Sequence, residues 1–155
     1  MFKKFLIILG VSMLPIVELR GSIPIASGMG VSVYQALPIA VIGNILPVPF
    51  IILFFNFFFT KFRSVKFIGP IFTKVHDKAL AEASKIKSYA FWGLYIFVAI
   101  PLPGTGAWTG SVVASLLGMD NKKSFLAIFA GVVTSGLIMC LLAYFLPHLF
   151  IKLFS

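Results

Sequence analysis

Of the 155 residues, 60% are hydrophobic and 11% are charged, with 13 Lys+Arg against 4 Asp+Glu. An ordinary soluble domain has about 45–50% apolar and about 25% charged residues, and one of this length leaves about a third of its extended surface wet, so a soluble enzyme, a disordered tail and a nucleic-acid module are all excluded. What remains is an integral membrane protein, and its net charge of +9 belongs to loops facing anionic lipid.

The chain opens with Met1-Phe2-Lys3-Lys4 and an apolar run from Phe5 to Val17. This imitates a signal peptide, but Glu18-Leu19-Arg20 stands where a small-residue cleavage site would follow, so the segment is kept in the fold. The run is too short to span a bilayer, which takes about 20 residues. It ends in Glu18-Leu19-Arg20-Gly21-Ser22-Ile23-Pro24 and the small-residue stretch Ala26 to Gly30. Glycine and proline there predict a helix broken at membrane depth. A second run, Ala36 to Thr60, carries no charge and suffices as a span.

The basic cluster Lys61, Arg63, Lys66, Lys74, Lys78, Lys85 and Lys87 follows, which predicts a cytoplasmic connector. Within it, Val75, Ala79, Ala83 and Ile86 recur at near-helical spacing, the pattern of a basic amphipathic helix on the inner surface. The third apolar run, Ser88 to Met119, is too long for one span and is interrupted by Pro101-Leu102-Pro103-Gly104-Thr105-Gly106. After Lys122 and Lys123, the fourth run, Ser124 to Ile151, is again a full span.

The halves echo each other. Each has an apolar entry helix, a Gly/Pro break, a small-residue segment ending in Gly-Met (Gly28-Met29, Gly118-Met119) and a long span with an early glycine, Gly43 or Gly131. Aligning the halves requires an insertion of about six residues. Interrupted segments in corresponding positions point to an inverted-repeat transporter with a site at the midplane. The expected fold is therefore an all-α integral membrane protein, an inverted repeat of two re-entrant, broken helical hairpins plus two long transmembrane helices. It forms one membrane domain: repeat A 1–60, connector 61–87, repeat B 88–155. Lys3 and Lys4 then lie outside. The rival topology has four full spans with both ends inside.

From Phe5 to Thr60 the only formal charges are Glu18 and Arg20. Ionisable groups at membrane depth are costly and face protein or water. They read either as a binding or coupling site, or as a salt bridge holding the broken helix, or as an interfacial pair. Residues at i and i+2 do not face each other on a helix, so a meeting requires the backbone to unwind at Gly21 or each to pair across the repeat. A lone carboxylate suits a cation exchanged against protons. A permanent cation near free helical N–H groups suits a phosphate or carboxylate. Gly104-Thr105-Gly106 offers such N–H groups or forms a tight turn alone, and it lacks the lysine and spacing of a nucleotide loop.

Asn44, Asn56, Thr134 and Ser135 can bond between helices, at about 0.6 kcal/mol each. Trp92 and Trp108 suit membrane interfaces, and Trp108 could line the site. Cys140 is a small hydrophobe. His76 and His148 have no pairing, so no metal site is expected. No cofactor is expected either, and no catalytic set is present, so the chain is not expected to be an enzyme.

Glu18-Leu-Arg-Gly-Ser-Ile-Pro24, together with Pro101-Leu-Pro-Gly-Thr-Gly106 followed by Trp108 and Gly110, resembles the signatures of the small multidrug export protein family, and the apolar pattern matches over nearly the whole chain. More distantly the arrangement is similar to the DedA/VTT membrane proteins. That similarity implies two re-entrant loops whose acidic, arginine and Pro-Gly motifs meet at mid-membrane, in a group that includes carriers of undecaprenyl phosphate and lipid scramblases. Those proteins usually carry an acid in the Pro-x-Pro-Gly loop and further arginines, where this chain has Thr105 and only Arg20.

The expected function is ion-coupled secondary transport of a small molecule or amphiphile across a bacterial or archaeal inner membrane. The site comprises Glu18, Arg20, Gly21, Pro24, Pro101, Pro103, Gly104, Thr105, Gly106 and Trp108. Glu18 serves as the coupling group, Arg20 holds an anionic head group or restrains Glu18, and Gly104 to Gly106 present backbone donors. The alternatives are a polyprenyl-phosphate or lipid flippase or scramblase, and a structural or assembly subunit. Expected partners are membrane lipids, the small-molecule or lipid-phosphate substrate and a second copy in a homodimer, without nucleic acid.

Overall fold

A computed structural model describes residues 1–62 and 89–146. The basic connector with its amphipathic helix, His76 and His148 lie outside these residues, as does the side chain of Asn56. The described residues are helical, without a strand among them. In chain order they are α1 (Phe2–Met13), α2 (Glu18–Gly28), α3 (Val33–Ile45), α4 (Val48–Phe62), α5 (Tyr89–Ala99), α6 (Ala107–Leu116) and α7 (Asn121–Cys140). A π turn, Leu141–Phe145, continues α7.

The first break lies earlier than the sequence predicts. It falls at residues 14–17, not at Gly21 to Pro24, and α2 runs unbroken from Glu18 through both of those residues. The breaker is Pro15. Its ring disfavours the helical region for the residue before it, and Leu14 is accordingly extended, with φ −72° and ψ 134°. Pro24 deprives only the Arg20 carbonyl of a helical donor, and it does so on an exposed side of α2. The second break lies where expected, between α5 and α6, with Pro101 just past the end of α5 and Gly104 in the left-handed region at φ +84°.

After the breaks the halves follow one local plan. Helix α2 ends with Gly30 at φ +69°, Gly30 N–H on the Ser27 carbonyl and Val31 N–H on the Ala26 carbonyl, each at 3.0 Å. Helix α6 ends with Gly118 at φ +60°, Gly118 N–H on Ser115 at 3.1 Å and Met119 N–H on Ala114 at 3.0 Å. Both are glycine-terminated helix ends of the same type, on matching Ala-Ser-x-x-Gly sequences. The structural partner of Gly118 is therefore Gly30, not Gly28.

The long helices repeat the pattern. A Cβ on Gly43 would lie 2.6 Å from the Leu9 carbonyl and 2.8 Å from Ser12 Cβ. On Gly131 it would lie 2.9 Å from the Tyr95 carbonyl and 2.7 Å from Val98 Cβ. Each glycine thus lets its long helix touch its own entry helix at the backbone of residue i and the Cβ of residue i+3. Glycine partners are 88 residues apart and entry-helix partners 86 apart. The halves differ by two residues, not six, and the extra two lie in the connection holding Pro101 to Gly106.

Among the described residues, two stretches are long and apolar enough to cross a bilayer, Val33–Phe55 and Asn121–Phe145. The first of them contains most of the expected span from Ala36 to Thr60 and carries a turn at Leu46 and Pro47, where α3 gives way to α4 with Leu46 still in the helical region. Helix α3 packs on α1 and α2 and also on α7, and α4 lies against α6 of the other half. The end of the α7 span returns the exchange: Ser27 Oγ donates to the Ala143 carbonyl at 3.0 Å and Tyr144 Oη to the Val31 carbonyl at 2.8 Å. Ile8, Leu19, Ile23, Val98, Ile128 and Val132 form the centre of the core. Ile16, Tyr34, Phe50, Leu53, Trp92 and Phe145 point outward and exposed, a surface suited to lipid.

Candidate functional site at the meeting of the two breaks

Helix α6 starts at a residue without a side chain. Gly106 is its N-cap, and the first amides of a helix have no internal partners. A serine, threonine or aspartate normally supplies the missing acceptor. Here Glu18, from the first half of the chain, supplies it. Its Oε1 accepts from the Trp108 N–H at 3.2 Å, and the Ala107 amide also bonds the carboxylate. The negative group lies at the positive end of the helix dipole, where it is stabilised. Glu18 is buried, at 5% exposure.

Two local features permit this docking. Glu18 has φ +50°, the only positive φ outside glycine among the described residues, and this reorients the chain as it enters α2. Gly106 has no Cβ, and a Cβ there would fall on the Glu18 carboxylate itself. The N-termini of α2 and α6 therefore meet head to head.

Arg20 lies one residue beyond Leu19 and reaches the same connection from another direction. Its Nη1 donates to the Leu102 carbonyl, and its Nη2 to the Thr105 carbonyl, to the Thr105 hydroxyl at 3.0 Å and to the Ile100 carbonyl at 3.4 Å. These carbonyls lie just past the end of α5, where helical partners run out. The Thr105 hydroxyl also lies 2.8 Å from the Ile100 carbonyl and 2.9 Å from the Leu102 carbonyl, knitting the turn together. Arg20 Nε is buried without a partner.

Trp108 mirrors Arg20. Its indole Nε1–H donates to the Met13 carbonyl, the last residue of α1, at 3.1 Å. Each short helix thus sends a long donor from its start to the carbonyl end of the other half's entry helix.

The structure brings Glu18, Arg20, Thr105, Gly106 and Trp108 together. Pro101 is half-buried in the same connection, while Pro103 and Gly104 are exposed. Gly21 is half-buried against the Val17 side chain. Pro24 lies one turn beyond Arg20, exposed. The expectation that Gly104 to Gly106 present free donors is corrected at two of its three amides. Thr105 N–H bonds the Leu102 carbonyl at 3.2 Å, and Gly106 N–H bonds Thr109 Oγ1 at 3.0 Å. Nor does Gly21 unwind.

The sequence reading missed Pro15, Met13 and Thr109. Pro15 was visible as a breaker inside an apolar run, whereas a backbone carbonyl such as that of Met13 leaves no signal in the sequence. Among the described residues no group of three His, Cys, Asp or Glu could hold a metal ion.

The model of one protein family, described as Putative small multi-drug export protein, matches residues 18–138. The chain belongs to that family. The match begins at Glu18 and takes in every group of the site except the Met13 carbonyl. No curated protein and no solved structure matches the chain. The export family and the two long apolar helices together point to a membrane protein.

Among the remaining polar residues, Thr134 bonds the Tyr95 hydroxyl at 3.1 Å between α5 and α7. Asn44 Oδ1 and Ser135 Oγ are buried without partners.

Proposed function

We propose that this member of the export family is a multi-pass transporter of a bacterial or archaeal inner membrane, built as an inverted repeat of two re-entrant hairpins, with Glu18 as the coupling carboxylate. The observation that carries the reading is the docking of Glu18 on the N-terminus of α6. It joins the only carboxylate of the first half to a helix of the second. An ionised Glu18 accepts two amides and holds α6. A protonated Glu18 loses the charge that the helix end attracts, and the joint weakens. Proton uptake and movement between halves are thereby linked. The matched helix ends and the matched glycine contacts support the repeat, since each half keeps the same unit intact while the joint between them changes.

An anionic lipid head group is the weaker candidate for cargo. To bind here it would have to displace Glu18 from the α6 amides and draw Arg20 off its carbonyls.

The test is uptake into proteoliposomes. With an imposed pH gradient, the chain should drive uptake of a radiolabelled organic cation such as methylguanidinium. Glu18→Gln should abolish the gradient-driven part while leaving the helical circular dichroism intact. Equal uptake by wild type and Glu18→Gln would sink the coupling role. Lipid exchange that ignores the gradient would favour the scramblase.

A further inference from the structure

The connection between α5 and α6 has a feature that a simple turn does not need. Three carbonyl oxygens, those of Ile100, Leu102 and Thr105, and the Thr105 hydroxyl converge on one planar cation. That cation is the Arg20 guanidinium, which comes from the other half of the chain on a long, flexible stem. Its Nε stays unpartnered, so the cradle grips only the two terminal nitrogens. The recognition is of a forked N–H donor by oxygen acceptors. Beside it lies a buried carboxylate, Glu18, two residues away in sequence.

We propose that this oxygen cradle is the cation-recognition subsite of the transporter, and that Arg20 occupies it as a tethered pseudo-substrate. The cargo class is then an organic cation with N–H donors, a guanidinium or a primary amine. A quaternary ammonium, which has no N–H, is excluded. The inference rests on the transport reading and names its substrate class. In the state described here Arg20 fills the subsite. Cargo binding requires Arg20 to swing out, and an intramolecular competitor lowers the apparent affinity for cargo by the fraction of time it occupies the site. The tether also gives a reason for the cradle to stay formed without cargo. Carbonyls gathered at a helix end would otherwise repel one another, and a resident cation offsets that repulsion.

Binding of methylguanidinium to the purified full-length chain in detergent tests this, with tetramethylammonium as the cation that lacks N–H donors. Wild type should bind methylguanidinium weakly. Arg20→Ala should bind it saturably, about tenfold more tightly or better. Neither protein should bind tetramethylammonium. Adding Thr105→Val to Arg20→Ala should remove the gain. Where Arg20→Ala does not remain folded, Arg20→Met keeps the stem and is measured in its place. A folded Arg20 variant that binds no tighter than wild type overturns the proposal, as does equal binding of the two cations. The transport reading is judged separately. Loss of gradient-driven uptake in Glu18→Gln without cradle binding removes only the substrate class. Cradle binding without gradient-driven uptake removes the transporter and leaves the site.

Discussion

Glu18 carries three demands at once: a left-handed backbone, a buried carboxylate and the cap of a helix in the other half. Substitutions separate them. Glu18→Ala keeps the unfavourable φ and loses the cap, which costs about 1 kcal/mol. Glu18→Gly also loses the cap but removes the Cβ penalty, about 1–2 kcal/mol at positive φ. Denaturant unfolding in micelles should therefore find Glu18→Gly more stable than Glu18→Ala. The reverse order would mean that Glu18 does not hold this backbone. Gly106→Ala approaches the same contact from the other side. Its Cβ would occupy the carboxylate position, so it should destabilise by about 1–3 kcal/mol, the usual range for overpacking, and abolish gradient-driven uptake as fully as Glu18→Gln does. Wild-type uptake by Gly106→Ala would contradict the docking.

The two short helices depend on glycine at their ends, and the long helices on glycine in their bodies. Gly43 and Gly131 each pack against an entry-helix carbonyl. Alanine at either should cost about 1–3 kcal/mol, because backbone on one side cannot yield. Gly10 is the control. It lies in α1 with nothing within 4 Å of a Cβ, so Gly10→Ala should gain about 0.5–1 kcal/mol of helix propensity. Thermal unfolding of the three variants checks this, and similar losses at all three would refute the packing.

At this scale the sequence was partly legible. Apolar run lengths and the Pro101 to Gly106 break located α5, α6 and α7. The first break was misplaced because Gly21 and Pro24 look like stronger breakers than Pro15, yet only Pro15 stands where the residue before it, Leu14, closes a helix. Pairing Gly28 with Gly118 followed the letters Gly-Met. The chain instead pairs the glycines that share a positive φ, which no single sequence displays. Glu18 and Arg20 were recognisable as isolated charges. Their partners were not, since both bond chiefly to backbone, and any residue can offer a carbonyl or an amide.

At the scale of the molecule, three side chains among the described residues tie the halves together where the two breaks meet. Glu18 caps α6, Arg20 holds the connection after α5, and Trp108 holds the end of α1. The ends of the long helices exchange partners around them. A chain with so few charges keeps its halves together through these ties and the shared core, so removing one should loosen the joint without unfolding either half. Trp108→Phe keeps an aromatic side chain but, besides trimming the indole, loses its hydrogen bond to Met13, worth about 1 kcal/mol. It should lower the unfolding midpoint modestly while far-ultraviolet dichroism stays at the wild-type level, and a collapse of the helical signal would show that the halves are not independent units.

The central claim is that the two broken helices meet with the Glu18 carboxylate on the Trp108 amide. Selective 15N-tryptophan labelling reports it directly, because the chain has two tryptophans, Trp92 and Trp108, and Trp92→Phe assigns them. On Glu18→Gln the backbone amide resonance of Trp108 should move markedly while that of Trp92 stays in place. A Trp108 amide indifferent to the change at residue 18 would contradict the account.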